Sequence, residues 1–497
     1  MTDDRPGRAG ANSDPFALLG LRSFINCCGS RTIFGGSRMP KEVLEAMVAA
    51  STRFVNVPQL LDAAGRRIAE LVGAPAALVT TGGSGALFVG AAGAATRGDP
   101  ERLVKLPQID WPQRHIVMPR GSRFGYDHAM RATGLEIVEA GTREEMAAAL
   151  DTAAMVAVLG TADPTAPLKL EDCVALARPR GIPVLVDAAS EFLQKSDPYL
   201  ARGADMVVYS GGKYLRGPQS TGLLIGDPRW IRAASLTTAP HNGIGRQLKV
   251  SKEEIAGLVA AVELWASGRD AAREEAAHIA ELRLLAVAAE KCPGVSCEFL
   301  DRTWVEEPTP RLRVRWDRAR IGIDGPSLRQ RLMDGDPSVL VDDRFAHSDS
   351  VTILPLNLQP GEAMIVGQRI AAELGSAQAG AADAAVEPAA INVSGRWIVT
   401  LEAVGGEIGH AFELQQQGNA VTGTHHLRTR ANPIRGTVAG DRIRLESDHP
   451  AEGLGLSYRF TGRLQGMDLV GTAELGTTGT PVNRREYGDA PWRARRA

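Results

Sequence analysis

The stretch Ser210-Gly211-Gly212-Lys213-Tyr214-Leu215-Arg216-Gly217-Pro218-Gln219-Ser220-Thr221-Gly222 decides how this chain is read. It follows Met206-Val207-Val208-Tyr209, a short apolar run with the composition of a buried strand. A lysine between a strand end and a glycine-rich turn is ordinarily a solvated charge. Here Gly211 and Gly212 come first, and a glycine backbone admits close approach of a ligand. A second apolar run, Val184-Leu185-Val186, ends in Asp187.

Outward from these runs, helical and strand patterns alternate from about residue 40 to 235. Stretches 41–50, 59–72, 84–96, 143–150 and 170–178 read as helices. Stretches 76–79, 115–118, 135–138, 155–159, 184–186, 206–209 and 222–225 read as short buried strands. Such alternation is the mark of an α/β fold, a mostly parallel sheet covered on both faces. Ligands in such sheets bind at the carboxyl ends of the strands, where Asp187 and Lys213 both fall.

An amine and a carboxylate at neighbouring strand ends are what pyridoxal phosphate (PLP) requires. Lysine forms the Schiff base, and the carboxylate keeps the pyridine nitrogen protonated so that the ring acts as an electron sink. Asp187 also reads as a helix cap, but the small Ala188 and Ala189 beside it leave room for a flat ring. Thr80 and Thr81, followed by Gly82, Gly83, Ser84 and Gly85, lie between a strand and a helix, where free amides and a hydroxyl form an anion seat. Alone, that junction is equally an ordinary turn; with Asp187 and Lys213 in one sheet, a phosphate seat is the better reading. Ser210 and Gly212 complete the cofactor-binding candidates beside the lysine.

Arg216 and Gln219 follow Lys213 closely and are substrate-binding candidates, since an arginine fork suits carboxylate or phosphate. Arg311 is a further candidate, and its neighbour Arg313 serves equally well in an alternating strand. The run Arg123-Phe124-Gly125-Tyr126-Asp127-His128 offers Tyr126 to stack on a ring and Arg123 to meet an anion; a capped helix start with solvated arginines explains it as well. His425 and His426 are adjacent in a strand pattern, so they face opposite ways, which argues against a shared metal.

At 497 residues the chain exceeds one compact core. Residues 1–20 read as a flexible tail, 21–250 as the PLP-binding domain, and 251–291 as a connecting helix with a break at Gly268. Residues 292–375 read as a small α+β domain, 376–390 as an alanine- and glycine-rich linker, and 391–497 as an antiparallel β barrel or sandwich of unassigned role. A small repeat recurs in that last part: Thr422-Gly423-Thr424, Arg435-Gly436-Thr437, Thr461-Gly462-Arg463 and Val470-Gly471-Thr472. A net charge of −2 supplies no basic field for nucleic acid. Five cysteines without framework spacing, no signal-like start and no membrane-length apolar run point to the cytoplasm.

Residues 210–222 and Gly245-Arg246-Gln247-Leu248-Lys249-Val250-Ser251-Lys252-Glu253-Glu254-Ile255 resemble signature segments of bacterial selenocysteine synthase (L-seryl-tRNA(Sec) selenium transferase) and its relatives. Within that group, Ile25-Asn26-Cys27-Cys28-Gly29, Phe34-Gly35-Gly36-Ser37 and Phe54-Val55-Asn56-Val57-Pro58-Gln59-Leu60 look more like the D-glucosaminate-6-phosphate ammonia-lyase branch. The resemblance implies a fold-type-I PLP enzyme in which Lys213 matches the Schiff-base lysine and Asp187 the partner of the pyridine nitrogen. It also implies a homodimer or higher even oligomer. Only some 20 residues precede the matching core, too few for the tRNA-binding domain of true selenocysteine synthases. The expectation is a PLP-dependent lyase acting on a small amino acid or amino sugar acid by α,β-elimination. A transferase, racemase or aldolase on the same residues is the alternative, and a non-enzymatic scaffold is the least favoured.

Overall fold

The computed structural model describes residues 15–160, 166–300, 309–377, 387–478 and 483–497. Most of the expected tail (1–14) and most of the expected linker (378–386) lie outside the described residues. The chain divides into two compact units, residues 1–121 with 129–380 and residues 122–128 with 381–497.

In chain order, the strands of the first unit begin with β1 (Ile25–Cys27), β2 (Ala76–Thr81), β3 (His115–Pro119) and β4 (Glu136–Ala140). They continue with β5 (Ala153–Leu159), β6 (Val184–Asp187), β7 (Met206–Ser210) and β8 (Thr221–Gly226). Seven of them form one sheet in the order β2-β8-β7-β6-β5-β3-β4. Strands β7, β6, β5, β3 and β4 are parallel, and β8 alone runs against both of its neighbours. The reason lies in the opening stretch. A parallel crossover needs about a dozen residues or more, usually as a helix. The lysine turn between β7 and β8 is shorter than that, so it returns the chain antiparallel.

Strands β6 and β7 are buried along almost their whole length, as expected for a sheet covered on both faces. One cover is the helix Gly82–Thr96, buried at every position from Gly85 onward. Its alanine and glycine content is what lets it lie so close. A methyl placed on Gly93 would come 2.6 Å from the backbone nitrogen of Ala234 in the helix Pro228–Leu236. That second helix was not read from the sequence.

The expected connecting helix is two helices, Lys252–Ala266 and Ala271–Ala289, with Gly268 between them at φ +116°. They serve different cores. Ile255, Leu258 and Val262 join the core of the large sheet. Leu282, Leu285 and Ala289 join a smaller core with Leu312, Val314, Val351 and Ile353. That smaller core is built on β9 (Val295–Leu300), β10 (Arg311–Trp316), β11 (Val339–Val341) and β12 (Ser350–Ile353). Strands β9, β10 and β12 form an antiparallel sheet, with β10 central. Strand β1 pairs in parallel with β11, so the start of the described chain is built into this small core, with Cys27 inside it.

The second unit is a closed barrel of eight strands: β13 (Gly395–Ala403), β14 (Gly406–Gln417), β15 (Ala420–His426), β16 (Ala431–Ala439), β17 (Arg442–Ala451), β18 (Leu454–Gln465), β19 (Asp468–Thr477) and β20 (Gly488–Arg496). Each is antiparallel to the next, and β20 closes on β13. Of the two architectures expected from the alternating pattern, the barrel is the one present, and closure removes both sheet edges. Trp397, Phe412 and Phe460 fill its core. The recurrent glycines have a packing reason. Gly462 stands directly across from Gly471, and a methyl on Gly462 would come 2.8 Å from the Trp492 ring.

Candidate active site

Three segments of the first unit meet at the carboxyl edge of the large sheet. The first is the junction of β2 with the helix Gly82–Thr96. Thr81 sits at the N-cap but makes no side-chain cap, and its Oγ1 is buried without a partner. The amides of Gly82, Gly83, Ser84 and Gly85 therefore open the helix with no side-chain acceptor from the cap, an arrangement suited to an anion. The junction is seated against β8 because Gly222 has no side chain; a methyl there would lie 2.1 Å from the Gly82 carbonyl oxygen. Gly83 faces Ala189, and Ser84 is exposed.

The second segment follows β6. Asp187 is 7 % exposed and accepts the Ala189 N–H at 2.9 Å through Oδ1. Burial raises its carboxyl pKa above the ordinary value, while the Ala189 N–H and the Lys213 charge oppose that rise. The Ala188 N–H donates to the Val208 carbonyl at 3.0 Å, which ties this turn to β7.

The third segment is the lysine turn. Lys213 Nζ donates to Ser190 Oγ at 2.9 Å. Gly211 N–H donates to Thr221 O and Gly217 N–H to Gly211 O, closing a compact loop. The glycines before Lys213 serve the chain's own close approach: methyls there would lie 2.1 Å from Thr221 Oγ1 and 2.4 Å from Gln219 Cα. This differs from the expected reason, close approach of a ligand. Ser210 is half-buried at the end of β7. A strap from residues 29–38 crosses the loop. Ser37 donates from both N and Oγ to Gly212 O, at 3.1 and 2.8 Å.

Arg216 and Gln219 donate to that strap, Arg216 Nε to Arg38 O at 2.9 Å and Gln219 Nε2 to Thr32 O at 3.0 Å. Both candidate substrate ligands thus have work holding the strap. In the small sheet, Arg311 is buried with its guanidinium 5.5 Å from the Phe345 ring centroid, whereas Arg313 pairs with Glu298 across the strand at 2.9 Å. Arg123 and Tyr126 fall in the second unit. Arg123 donates to Asp127 at 2.5 Å and lies 3.7 Å from Glu452, and Tyr126 is exposed.

Sequence reasoning missed Ser190. It also missed a row of imidazoles in the barrel. His425 Nε2 lies 3.0 Å from His410 Nδ1, His425 Nδ1 lies 3.0 Å from His449 Nε2, and Ser447 Oγ lies 3.0 Å from the same His449 nitrogen. Burial holds His410 down to about 4 and His425 to about 2, with the neighbouring imidazoles adding to both shifts. His426 points away, 3.5 Å from Glu413, as the alternation requires. Among the described residues, no three His, Cys, Asp or Glu side chains are grouped to hold a metal ion.

Residues 120–323 match the family model described as SelA: L-seryl-tRNA selenium transferase. D-Glucosaminate-6-phosphate ammonia lyase of Salmonella typhimurium is 29 % identical over 71 % of this chain and 96 % of its own. A 5'-C-glycyluridine monooxygenase-decarboxylase of a Streptomyces species is 29 % identical over 72 % of this chain and 92 % of its own. The solved structure of D-glucosaminate-6-phosphate ammonia-lyase superposes with a TM-score of 0.66 at 28 % identity, over 73 % of this chain and all of that one. The chain thus resembles the selenocysteine synthase-like PLP enzymes and their ammonia-lyase branch in sequence and in fold. The resemblance is to enzymes, lyase and transferase.

Proposed function

We propose that this protein is a PLP-dependent lyase that takes a small amino acid or amino sugar acid through α,β-elimination to a 2-keto product and ammonia. The observation that carries the reading is the placement of Asp187 at the end of β6 and of Lys213 in the turn after the adjacent parallel strand β7. The glycine-rich helix start packs against the Asp187 turn through Gly83 and Ala189.

The residues present fit the cofactor. The unpartnered Thr81 hydroxyl and the first-turn amides suit its phosphate. Asp187 suits its ring nitrogen, and Lys213 its aldehyde. When bound, PLP supplies an electron sink for the pair left at the substrate Cα. Lys213 Nζ takes the Cα proton. Asp187 stays ionised against a ring cation, which offsets the cost of burying its charge. A β-hydroxyl leaves as water, and one water returns to release ammonia, so the sum is amino acid to keto acid plus ammonia.

Transferase chemistry on the same residues is the second reading, favoured by the match of residues 120–323 to a selenium transferase model. The deciding experiment is a screen for keto acid and ammonia over D- and L-amino acids and amino sugar acids, with and without phosphate. Lys213→Ala is expected to abolish both turnover and the borohydride-reducible adduct. Retention of that adduct at wild-type level would remove Lys213 from the mechanism.

A further inference from the structure

The turn after β6 and the turn after β7 are fastened to each other by more than the strand pairing. The Phe192 and Tyr214 rings meet at 4.7 Å between centroids, two residues beyond Ser190 and one beyond Lys213 respectively. Within the first turn, the Ala189 N–H donates to Asp187 Oδ1 and the Glu191 N–H to Ala188 O. Within the second, the Arg216 N–H donates to Lys213 O, and Ser37 grips Gly212 O. Both backbones are thus held, and the freedom that remains at the lysine is in its four side-chain rotors. Ser190 Oγ accepts from the end of those rotors at 2.9 Å.

We propose that Ser190 is a positioning residue for Lys213, its hydroxyl holding the ε-amine in the place from which it meets an aldehyde or a proton. The inference rests on Lys213 being the cofactor-bearing lysine. One four-residue turn then carries two tasks. Asp187 at its start serves the ring nitrogen, and Ser190 at its end serves the amine. The serine is short and stands on a hydrogen-bonded turn, so it offers an acceptor at a fixed place. An acceptor also favours the charged ammonium over the neutral amine. Removing it has two opposite effects: the amine loses its proton more readily, and it is less well placed.

The full-length chain, stripped of cofactor, is labelled with acetic anhydride across pH, and Lys213 is followed by peptide mapping. In Ser190→Ala the labelling midpoint is expected about one pH unit below wild type, the loss of a hydrogen bond to a charged group. Capture of added PLP is then timed at a pH above both midpoints, where only placement differs. There Ser190→Ala is expected to be about tenfold slower. Ser190→Thr keeps the hydroxyl and is expected to match wild type in both. A capture rate in Ser190→Ala equal to wild type overturns the positioning role, whatever the midpoint. Borohydride-fixed PLP mapping to another lysine in the wild-type chain would instead sink the reading of Lys213 itself.

Discussion

At the scale of single residues, Asp187 sits in an environment that disfavours its charge. It is a buried carboxyl with its pKa raised by burial. A group whose folded pKa lies above its unfolded one binds protons more tightly in the fold. Its contribution to stability is therefore present at acid pH and lost as pH rises through the folded value. Without cofactor, Asp187→Asn is expected to lose less stability than wild type as pH rises from about 4 to 8. With PLP the order reverses, because only the carboxylate gains from a ring cation. Turnover in Asp187→Asn is expected to fall about 100-fold, roughly 3 kcal/mol of barrier. Thermal unfolding with and without PLP, and kcat, test this together; equal PLP stabilisation in both forms would count against the assignment. Asp187 was legible because it ends a local apolar run, and Lys213 because it is the charge in the glycine-rich turn that follows another. Ser190 was not, because serine is common in turns. Its significance appears only once β6 pairs with β7.

At the scale of elements, close packing decides more than propensity. Alanine in place of Gly93 would gain about 1 kcal/mol of helix propensity. The added methyl meets the backbone of Ala234, which cannot rotate aside. Gly93→Ala is expected to destabilise by about 1–3 kcal/mol net, read as a lower denaturant midpoint at unchanged m; a rise in midpoint would show that the two helices can part. The imidazole row makes a different prediction. Histidines whose folded pKa is depressed support the fold at neutral pH. That support is lost as pH falls below 6.5 toward the folded values, about 4 for His410. His410 is only partly buried, so solvent screening discounts the figure, and about 1–2 kcal/mol between pH 7 and 5 is expected for the row. Replacing His425 with Phe should flatten that slope in calorimetry of the full chain; an unchanged slope would place the acid sensitivity elsewhere. Neither feature was visible beforehand. A helix of small residues announces burial but not its neighbour, and histidines 15 and 24 positions apart meet only through the register of four strands. The all-β pattern itself was plain, since apolar residues alternate with polar ones around Trp397 and Phe412.

At the scale of the whole molecule, the surface offers a reason for association. Phe54 is fully exposed, and Val48 on the helix Lys41–Ser51 is 68 % exposed. Apolar groups so placed suit a second copy of the chain. A homodimer is expected, with Phe54→Asp shifting sedimentation toward monomer by at least about tenfold in Kd; a wild-type chain that sediments as monomer at micromolar concentration would refute it. The two-core arrangement was partly legible, because Gly268 marked a break. That the break assigns one helix to each core was not, since 251–291 reads as one helical stretch on either side of it. The pairing of β1 with β11 joins residues about 310 positions apart. During synthesis at about 5–20 residues per second, Ile25 emerges from the ribosome about 15–60 s before its partner strand exists. For that interval Cys27 and the strap behind it have no core to enter. The small domain is therefore sealed only after β11 has been made.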